Sequence, residues 1–463
     1  MDGGPVIGKR DAAEGGRVAF LWDKSFLWGL IAYDTFRHLR VHFDLLTSAD
    51  VGAGGLEGYD VLFVPGGWAS DKIVSLGAEG RRHIRDFVQA GGSYLGICGG
   101  AGLALSHENG LALAAIGRTP AAARLPSFSG PIRLEPAAAD HPMWTGLSGG
   151  GHFHAWWPGQ FSLDDNGDVQ VLARYGAPGE GSYVTDLPAL AAMDWEFWEK
   201  RYGINLNPQR IAGGPAVIET RFGLGKVLLS YLHFETPGDP AGHRVLLNIL
   251  AYLAGGKQVA GAAPSACRAP VRASSAGRPA AAPGTAGPET TSGSALLNEM
   301  MEITRQLRRS ADDLIEFGKK NGLWVQRNDW VLRWRRGIRG VEYSTLYAML
   351  ARLDGVARRL AADAACQADE PVKGVAENIR RLRDISRPFF EDAPALLLLE
   401  RDALGRGPLS PLETDDERIR TLRERMFSHS KRYGGLFGQI IALADEALLP
   451  LLRRQAAGSH DRY

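Results

Sequence analysis

The sequence predicts an α/β domain with a doubly wound, mainly parallel sheet, followed by an all-α helical bundle domain. The first observation is length, because 463 residues exceed what one hydrophobic core normally organises. Second, short apolar runs alternate with helical patterns across residues 17–255, which is the rhythm of a sheet flanked by helices. Third, this rhythm is lost across residues 295–455, where apolar residues recur at helical spacing.

The α/β domain is predicted over residues 17–255 from its buried strands. Each candidate strand is a short run rich in Val, Phe and Leu, and stretches with helical spacing separate these runs. The predicted strands are residues 18–21, 41–45, 61–64, 93–97 and an apolar strand that begins at residue 227.

The second half of the chain changes character twice. Residues 256–294 consist mainly of Ala, Pro, Gly, Ser and Thr, and such a segment cannot bury enough apolar surface to order itself. We therefore predict a disordered linker there. The bundle over residues 295–455 is predicted to hold four or five helices. Its clearest helical patterns cover residues 296–315, 343–360, 372–385 and 436–452.

Charge and cysteine usage limit the class of protein. The formal net charge is +1, so no global field attracts nucleic acid or an anionic membrane, and neither partner is predicted. The three cysteines, Cys98, Cys267 and Cys366, fit neither a disulfide framework nor paired zinc ligands. With no signal-peptide pattern and no run of about 18 apolar residues, we expect a cytoplasmic protein.

Cys98 lies on a predicted sharp turn from a strand into a helix. Gly96, Gly99 and Gly100 surround it, and a nucleophile elbow needs such small neighbours so that the reactive side chain projects above the sheet edge. The first turn of a helix also favours a thiolate, because the helix dipole is positive there. The alternative is a buried structural cysteine beside a glycine-rich turn.

Two further segments favour a reactive cysteine. The strand at residues 61–64 ends in Pro-Gly-Gly, and the N–H of Gly66 or Gly67, together with that of Gly99, would form an oxyanion hole. Taken alone, Pro-Gly-Gly is a turn.

The apolar strand from residue 227 ends in His233-Phe234-Glu235. Because residues i and i+2 of a strand point the same way, Glu235 would orient His233 while His233 takes the proton of Cys98. The alternative is a surface histidine.

These motifs, in this order along the chain, resemble the class I glutamine amidotransferase-like superfamily, whose sheet is flavodoxin-like. Residues 63–67 and 94–100 are most similar to the N-terminal domain of biotin-protein ligases. The resemblance covers about half of the chain and implies a catalytic triad of Cys98, His233 and Glu235, with no cofactor. Two positions depart from the amidotransferase pattern, because Gly102 replaces the usual Gln and Phe234 the usual Pro.

Related families fit less well. No Gly-Arg-Gly-Arg type loop for a biotinyl adenylate occurs in the sequence, so biotin transfer is not predicted. The heat-shock and deglycase type of cysteine hydrolase carries His directly after the cysteine, whereas Gly99 stands there in this chain.

Two aromatic segments remain. His154 and Trp157, in a His-x-His-Ala-Trp-Trp segment, and Trp68 are candidates for the mouth of the pocket, while no metal site is predicted. For the His-x-His segment, structural packing is the favoured alternative. Residues 324–336 hold three tryptophans and four arginines, which suit either nucleic acid, a membrane interface or a packed helix interface. We favour the helix interface, with Trp330 and Trp334 four residues apart.

The sequence thus leads to two hypotheses of function. The first is a cysteine-dependent amide or ester hydrolase, or an amidotransferase-like protein, that acts on a small-molecule or peptide substrate while the helical domain docks a protein partner. The second is a noncatalytic binding or scaffold protein that keeps the fold and acts through its helical domain. Fold alone does not decide between them.

Overall fold

The computed structural model describes residues 15–107, 110–163, 168–261, 288–362, 370–429 and 433–460. The chain divides into two compact units. Described residues of the first unit fall within Met1–Val184, Pro188–Met193 and Asn205–Ala262, and those of the second within Thr185–Leu187, Asp194–Ile204 and Ala263–Tyr463. Most of the predicted linker, together with Cys267 and Cys366, lies outside the described residues.

The first part of the chain, up to residue 261, alternates strands and helices. Its strands are β1 (Val18–Leu21), β2 (Phe43–Leu46), β3 (Val61–Val64), β4 (Ser93–Ile97), β5 (Gly117–Arg118), β6 (Phe128–Pro136), β7 (Gly151–Trp156), β8 (Phe161–Ser162), β9 (Gln170–Pro178), β10 (Tyr183–Val184), β11 (Leu187–Pro188), β12 (Pro215–Phe222) and β13 (Gly225–Ser230). Its helices are α1 (Phe26–His38), α2 (Ser48–Gly52), α3 (Ala69–Gln89), α4 (Gly99–Ala104), α5 (Trp195–Tyr202) and α6 (Pro240–Leu253).

The central sheet has the strand order β11-β10-β6-β9-β12-β13-β4-β3-β1-β2, and β7 also pairs with β6. The strands β2, β1, β3, β4 and β13 are parallel neighbours, and the sheet continues from β13 through β12, β9 and β6 as antiparallel pairs. The predicted α/β class is therefore confirmed. The antiparallel extension was not anticipated from the sequence.

The parallel half of the sheet forms the core of the first unit. Every residue of β1, β3 and β4 with a hydrophobic side chain is 0% exposed, which explains the unbroken apolar runs in the sequence. Strand order reverses between β1 and β3, and in open α/β sheets ligands bind at the carboxyl ends of the strands near such a point. The Pro-Gly-Gly loop follows β3, and Cys98 follows β4, at this edge.

The second unit is mainly helical, as predicted. Besides α5, its elements are α7 (Pro288–Lys320), β14 (Trp324–Gln326), β15 (Leu332–Trp334), α8 (Gly340–Ala362), α9 (Glu370–Arg406), α10 (Glu417–Phe427) and α11 (Gly435–His460). Helix α7 begins at Pro288, ahead of the expected start at residue 295, because proline is well tolerated in the first turn of a helix. Residues 194–204 also belong to this unit rather than to a continuous 17–255 domain. There the Arg336 guanidinium donates to the Tyr202 carbonyl oxygen, at 3.4 Å.

The segment around residues 324–336 is a β-hairpin, so the predicted helix interface was wrong. Strands β14 and β15 pair antiparallel, with Trp324 opposite Trp334. The turn is stabilised by Asn328, whose Oδ1 accepts from the N–H of Trp330 at 3.1 Å and of Val331 at 2.8 Å. This local side-chain bonding competes with helix formation, which explains why helical spacing misled the interpretation.

Helix α11 is the one described helix that is long and apolar enough, by composition, to cross a membrane. Its residues 435–456 have a mean hydropathy of 1.5, and half of that window is buried inside the unit. Ile440, Ala444 and Leu448 are each 0% exposed, which is the pattern of a core helix in a bundle.

Candidate active site

Cys98 occupies a strained turn at the end of β4. Its φ is 50° and its ψ is −104°, a conformation that non-glycine residues rarely adopt, and α4 begins at the next residue. The Cys98 N–H donates to the Ser230 carbonyl oxygen at 2.7 Å, which ties the turn to the end of β13. The thiol is partly exposed. This geometry is that of a nucleophile elbow, as the glycine pattern predicted.

The glycines around Cys98 are required by close approaches of backbone to backbone. A Cβ atom at Gly99 would lie 1.9 Å from the Gly67 carbonyl oxygen, and one at Gly100 would lie 1.9 Å from the Val64 carbonyl oxygen. A Cβ at Gly96 would lie 2.6 Å from the Gly100 carbonyl oxygen. Only glycine avoids these clashes, so the elbow and the Pro-Gly-Gly loop pack directly on each other.

The three predicted oxyanion residues are therefore neighbours in space. The Gly67 nitrogen lies 3.1 Å from the ideal Cβ position of Gly99. Gly67 has a φ of +111° and packs against the Lys24 carbonyl oxygen, which a Cβ would approach to 2.3 Å. Gly66 packs on the ring of Trp28, and a Cβ atom added at Gly66 would lie 2.8 Å from Cγ of that ring. Of the two loop glycines, Gly67 is thus the one that adjoins Gly99.

His233 and Glu235 meet in a buried ion pair. His233 Nδ1 lies 2.8 Å from Glu235 Oε1, and the two side chains are 1% and 0% exposed. The prediction that both lie on one face of a strand was wrong, because β13 ends at Ser230. A turn follows, in which the Thr236 N–H donates to the His233 carbonyl oxygen at 3.1 Å. The turn brings the two side chains together in place of strand alternation.

Cys98 and Glu235 both act on the imidazole of His233. Burial by itself lowers the pKa of His233, but the charge of Glu235, its hydrogen bond to the ring and the electrostatic effect of Cys98 outweigh burial and raise this pKa to about 10. Nδ1 is engaged by Glu235, so Nε2, which has no hydrogen-bond partner among the described residues, is the ring nitrogen available to Cys98.

Residues distant in sequence hold this pair in place. The Thr35 hydroxyl donates to the Glu235 carbonyl oxygen at 2.7 Å, across 200 residues of chain. The Trp28 ring lies 4.6 Å from the His233 ring, centroid to centroid, and the His233 N–H donates to the His154 carbonyl oxygen at 2.8 Å. Trp28 and Thr35 lie on the apolar helix α1, and their helical spacing gave no sign of this role.

Two of the three candidate pocket residues lie next to groups that contact His233, since Trp157 neighbours Trp28 and the His154 carbonyl oxygen accepts from the His233 N–H. Trp157 is 6.1 Å from Trp28, centroid to centroid, and has a φ of 50°. His154 stacks on Trp156 and bonds through Nδ1 to Asp239 Oδ2 at 3.1 Å. Trp68 directly follows Gly67 and is 42% exposed, at the surface where α3 begins. Among the described residues, no group of three His, Cys, Asp or Glu side chains is arranged to hold a metal ion.

Comparison with known proteins supports the resemblance found in the motifs. A family model described as the N-terminal region of biotin-protein ligase matches residues 57–108, which include the Pro-Gly-Gly loop and Cys98. The predicted resemblance to that family is thus confirmed over residues 57–108. No curated protein matches the chain.

Solved structures are similar to about half of the chain. A protein described as a GMP synthase subunit from Thermoplasma acidophilum is 15% identical, with a TM-score of 0.34, over 52% of this chain and 95% of its own. PurLQS from Thermotoga maritima is 16% identical, with a TM-score of 0.34, over 52% of this chain and 99% of its own. A ThuA-like protein from Bacteroides uniformis is 14% identical, with a TM-score of 0.35, over 54% and 95%.

Proposed function

We propose that the first unit is a cysteine-dependent amide or ester hydrolase, or an amidotransferase-like acyl-transfer enzyme. Cys98 is the nucleophile, His233 exchanges protons with it, and Glu235 orients and charges the imidazole. The observation that carries this proposal is the strained elbow at Cys98 beside the buried His233–Glu235 pair, 2.8 Å between Nδ1 and Oε1. Strain of this kind persists only where the surroundings enforce it, and it concentrates at functional sites.

The chemistry follows from these placements. Because the pKa of His233 is raised to about 10, its imidazole already holds the proton of Cys98 at neutral pH, and the Cys98 thiolate sulfur bonds to the carbonyl carbon of the substrate as the carbonyl electrons move onto oxygen. The backbone N–H groups of Gly67 and Gly99 then stabilise that oxyanion. The C–N or C–O bond then breaks, His233 gives its proton to the leaving group, and a thioester remains. Water or an amine resolves the thioester and returns a proton to Cys98.

Glutamine is not assigned as the substrate. Gly102 stands where amidotransferases carry Gln, and its nearest neighbour beyond its own turn would be the Ala69 Cβ, 3.5 Å from an added Cβ. Phe234, which replaces the usual Pro, is 0% exposed and packs on Phe153, 5.6 Å between ring centroids. We propose a small-molecule or peptide amide or ester, acted on in the cytoplasm, with the helical unit docking a protein partner.

The proposal is tested by searching for the thioester. Wild type and Cys98→Ser are incubated with a panel of small amides and esters, and intact mass is measured after acid quenching. An adduct of acyl mass on wild type, located to Cys98 by peptide mapping and absent from Cys98→Ser, supports the enzyme. If no member of the panel acylates Cys98 and Cys98 is no more reactive than in unfolded protein, the scaffold hypothesis replaces it.

A further inference from the structure

Two buried tyrosine hydroxyls near Cys98 have no hydrogen-bond partner among the described residues. Tyr175 is 0% exposed and Tyr231 is 2% exposed, yet neither hydroxyl is paired. An unpaired buried hydroxyl is costly, and nearly all such groups in native proteins find a partner. A ligand with hydrogen-bond acceptors would supply one.

Tyr231 directly adjoins the nucleophile. The Cys98 N–H bonds to the carbonyl oxygen of Ser230, the residue before Tyr231, at 2.7 Å. Gly159 makes room for the tyrosine, because a Cβ there would lie 2.7 Å from its hydroxyl oxygen. Burial raises the pKa of Tyr231 to about 12, and Cys98 contributes to the rise against the opposing effect of Arg118. The hydroxyl therefore stays protonated at neutral pH and offers a donor.

Two arginines, Arg118 and Arg124, lie within electrostatic reach of Tyr231. Arg118 in β5 pairs with Phe161 in β8, and the Phe161 ring packs on the Tyr231 ring, 4.4 Å between centroids. Arg124 is held nearby, because the N–H of the following residue, Leu125, donates to Gln160 Oε1 at 2.8 Å. Both guanidinium charges act on Tyr231.

Among the described residues, no carboxylate contributes to the electrostatic environment of Tyr231. The charged groups that act on Tyr231 are Arg118, Cys98 and Arg124, and none of them is a carboxylate. Arg124 Nε is buried without a hydrogen-bond partner in the described structure. Burial, together with the like charge of Arg118, lowers the pKa of Arg124. Two cations beside unpaired hydroxyl donors form a site that favours an anion. Burial raises the pKa of Tyr175, and Tyr231 and Cys98 add to the rise, so Tyr175 lies within electrostatic reach of both. We call these side chains the tyrosine–arginine cluster: Arg118, Arg124, Tyr175 and Tyr231.

We propose that the tyrosine–arginine cluster binds a carboxylate group of the substrate and so selects acidic amides or esters. This inference rests on the proposed function, since the cluster adjoins the cysteine that would attack the scissile carbonyl. A guanidinium presents a planar fork of donors that matches a carboxylate, and the tyrosine hydroxyls add directed donors. A bound carboxylate would supply acceptors to the buried hydroxyls and to Arg124 Nε.

A matched pair of alkylating reagents tests the cluster. Iodoacetate carries a carboxylate where iodoacetamide carries a neutral amide, and the two reagents are otherwise alike. With either reagent, the Cys98 sulfur forms a bond to carbon as the C–I bond breaks and iodide leaves. The rate at Cys98 is read by peptide mass spectrometry, and the ratio of the two rates is compared with that in urea-unfolded protein. We expect the folded protein to favour iodoacetate by roughly 10- to 100-fold relative to unfolded protein, as for hydrogen bonds to a charged group.

Variants assign that preference to the cluster. Arg118→Gln, at an exposed position, and Arg124→Gln should each lower the rate ratio, while Arg124→Lys should retain part of it. The matched control is Arg82→Gln, which removes one positive charge at an exposed position on α3 and should leave the ratio unchanged. A ratio equal to that of unfolded protein, or an equal fall in Arg82→Gln, would overturn the inference.

The same experiment separates this inference from the proposed function. His233→Ala should slow the reaction with iodoacetamide, which tests the role of His233, whereas the rate ratio tests the cluster. If the folded protein shows no preference for iodoacetate but His233→Ala still slows alkylation, only the carboxylate site is refuted. If the preference for iodoacetate is present but His233→Ala does not slow alkylation, the proposed catalytic role is refuted and the anion site is retained.

Discussion

Nδ1 of His233 lies 2.8 Å from Oε1 of Glu235, and the two side chains are 1% and 0% exposed to solvent. Nearby, Cys98 acts on the same imidazole. A buried charged pair of this kind is costly to desolvate, and together with the strained backbone at Cys98 this favours a functional origin over a purely stabilising one.

Removing the charge of Glu235 should change the titration of His233. In Glu235→Gln, the pKa of His233 should fall from about 10, because the carboxylate is the largest cause that raises it. The pH profile of Cys98 alkylation by iodoacetamide reports this change, and the rate at pH 7 should drop by about tenfold or more. Glu235→Asp, which keeps the charge, should retain part of the rate. Equal profiles for wild type and Glu235→Gln would refute the role of Glu235.

Stability should depend on pH through His233. Its pKa rises from 6.5 to about 10 on folding, so between these values the native state binds more protons than the unfolded state. The free energy of unfolding should therefore fall as pH rises from 6.5 to 10, by at most about 1.4 kcal/mol per pH unit. Urea unfolding is measured across this pH range on wild type and on His233→Gln. The same pH dependence in both proteins would contradict the prediction.

Glycine substitutions should separate the elbow from the helix that follows it. In Gly99→Ala the new Cβ would lie 1.9 Å from the Gly67 carbonyl oxygen, which should cost about 1–3 kcal/mol of unfolding free energy. Gly102→Ala is the matched control, because its nearest neighbour is 3.5 Å away and alanine favours the helix. Chemical denaturation measures both. Equal stability of the two variants would mean that the loop and elbow do not pack as described.

The hydrogen bond from Thr35 should stabilise the segment that carries Glu235. Thr35→Val leaves the buried Glu235 carbonyl oxygen without its 2.7 Å donor, at an expected cost of about 1–3 kcal/mol. Thr145→Val removes a 2.9 Å bond in an exposed turn and should cost well under this, about 0.5 kcal/mol or less. Thermal unfolding compares the two. If Thr35→Val is as stable as Thr145→Val, Thr35 does not stabilise the segment that carries Glu235.

The sequence was informative wherever one local rule determined the structure. The run 61–64 and the run 93–97 both became buried strands with the predicted bounds, and small residues marked Cys98 because only glycine allows backbone contact there. Local patterns also predicted that His233 and Glu235 meet. They predicted the wrong geometry, because a strand and a turn both bring residues i and i+2 together.

What the sequence could not predict depends on contacts between distant segments. Thr35 reaches Glu235 across 200 residues, and Arg118 reaches Tyr231 through Phe161. No periodicity encodes such meetings. The hairpin at residues 324–334 was missed for a different reason, since the Asn328 side chain bonds to the backbone N–H groups of its own turn.

The central claim is that Cys98 is a nucleophile activated by His233, and the rate of Cys98 alkylation by iodoacetamide tests it most directly. Rates are measured at pH 6.5 on wild type, His233→Ala and urea-unfolded protein, with Cys98 read by peptide mass spectrometry. The account predicts that folded wild type reacts faster than unfolded protein, even though the thiol is only partly exposed, and that His233→Ala abolishes this advantage. A folded Cys98 that reacts no faster than the unfolded thiol, or equally fast without His233, would contradict it.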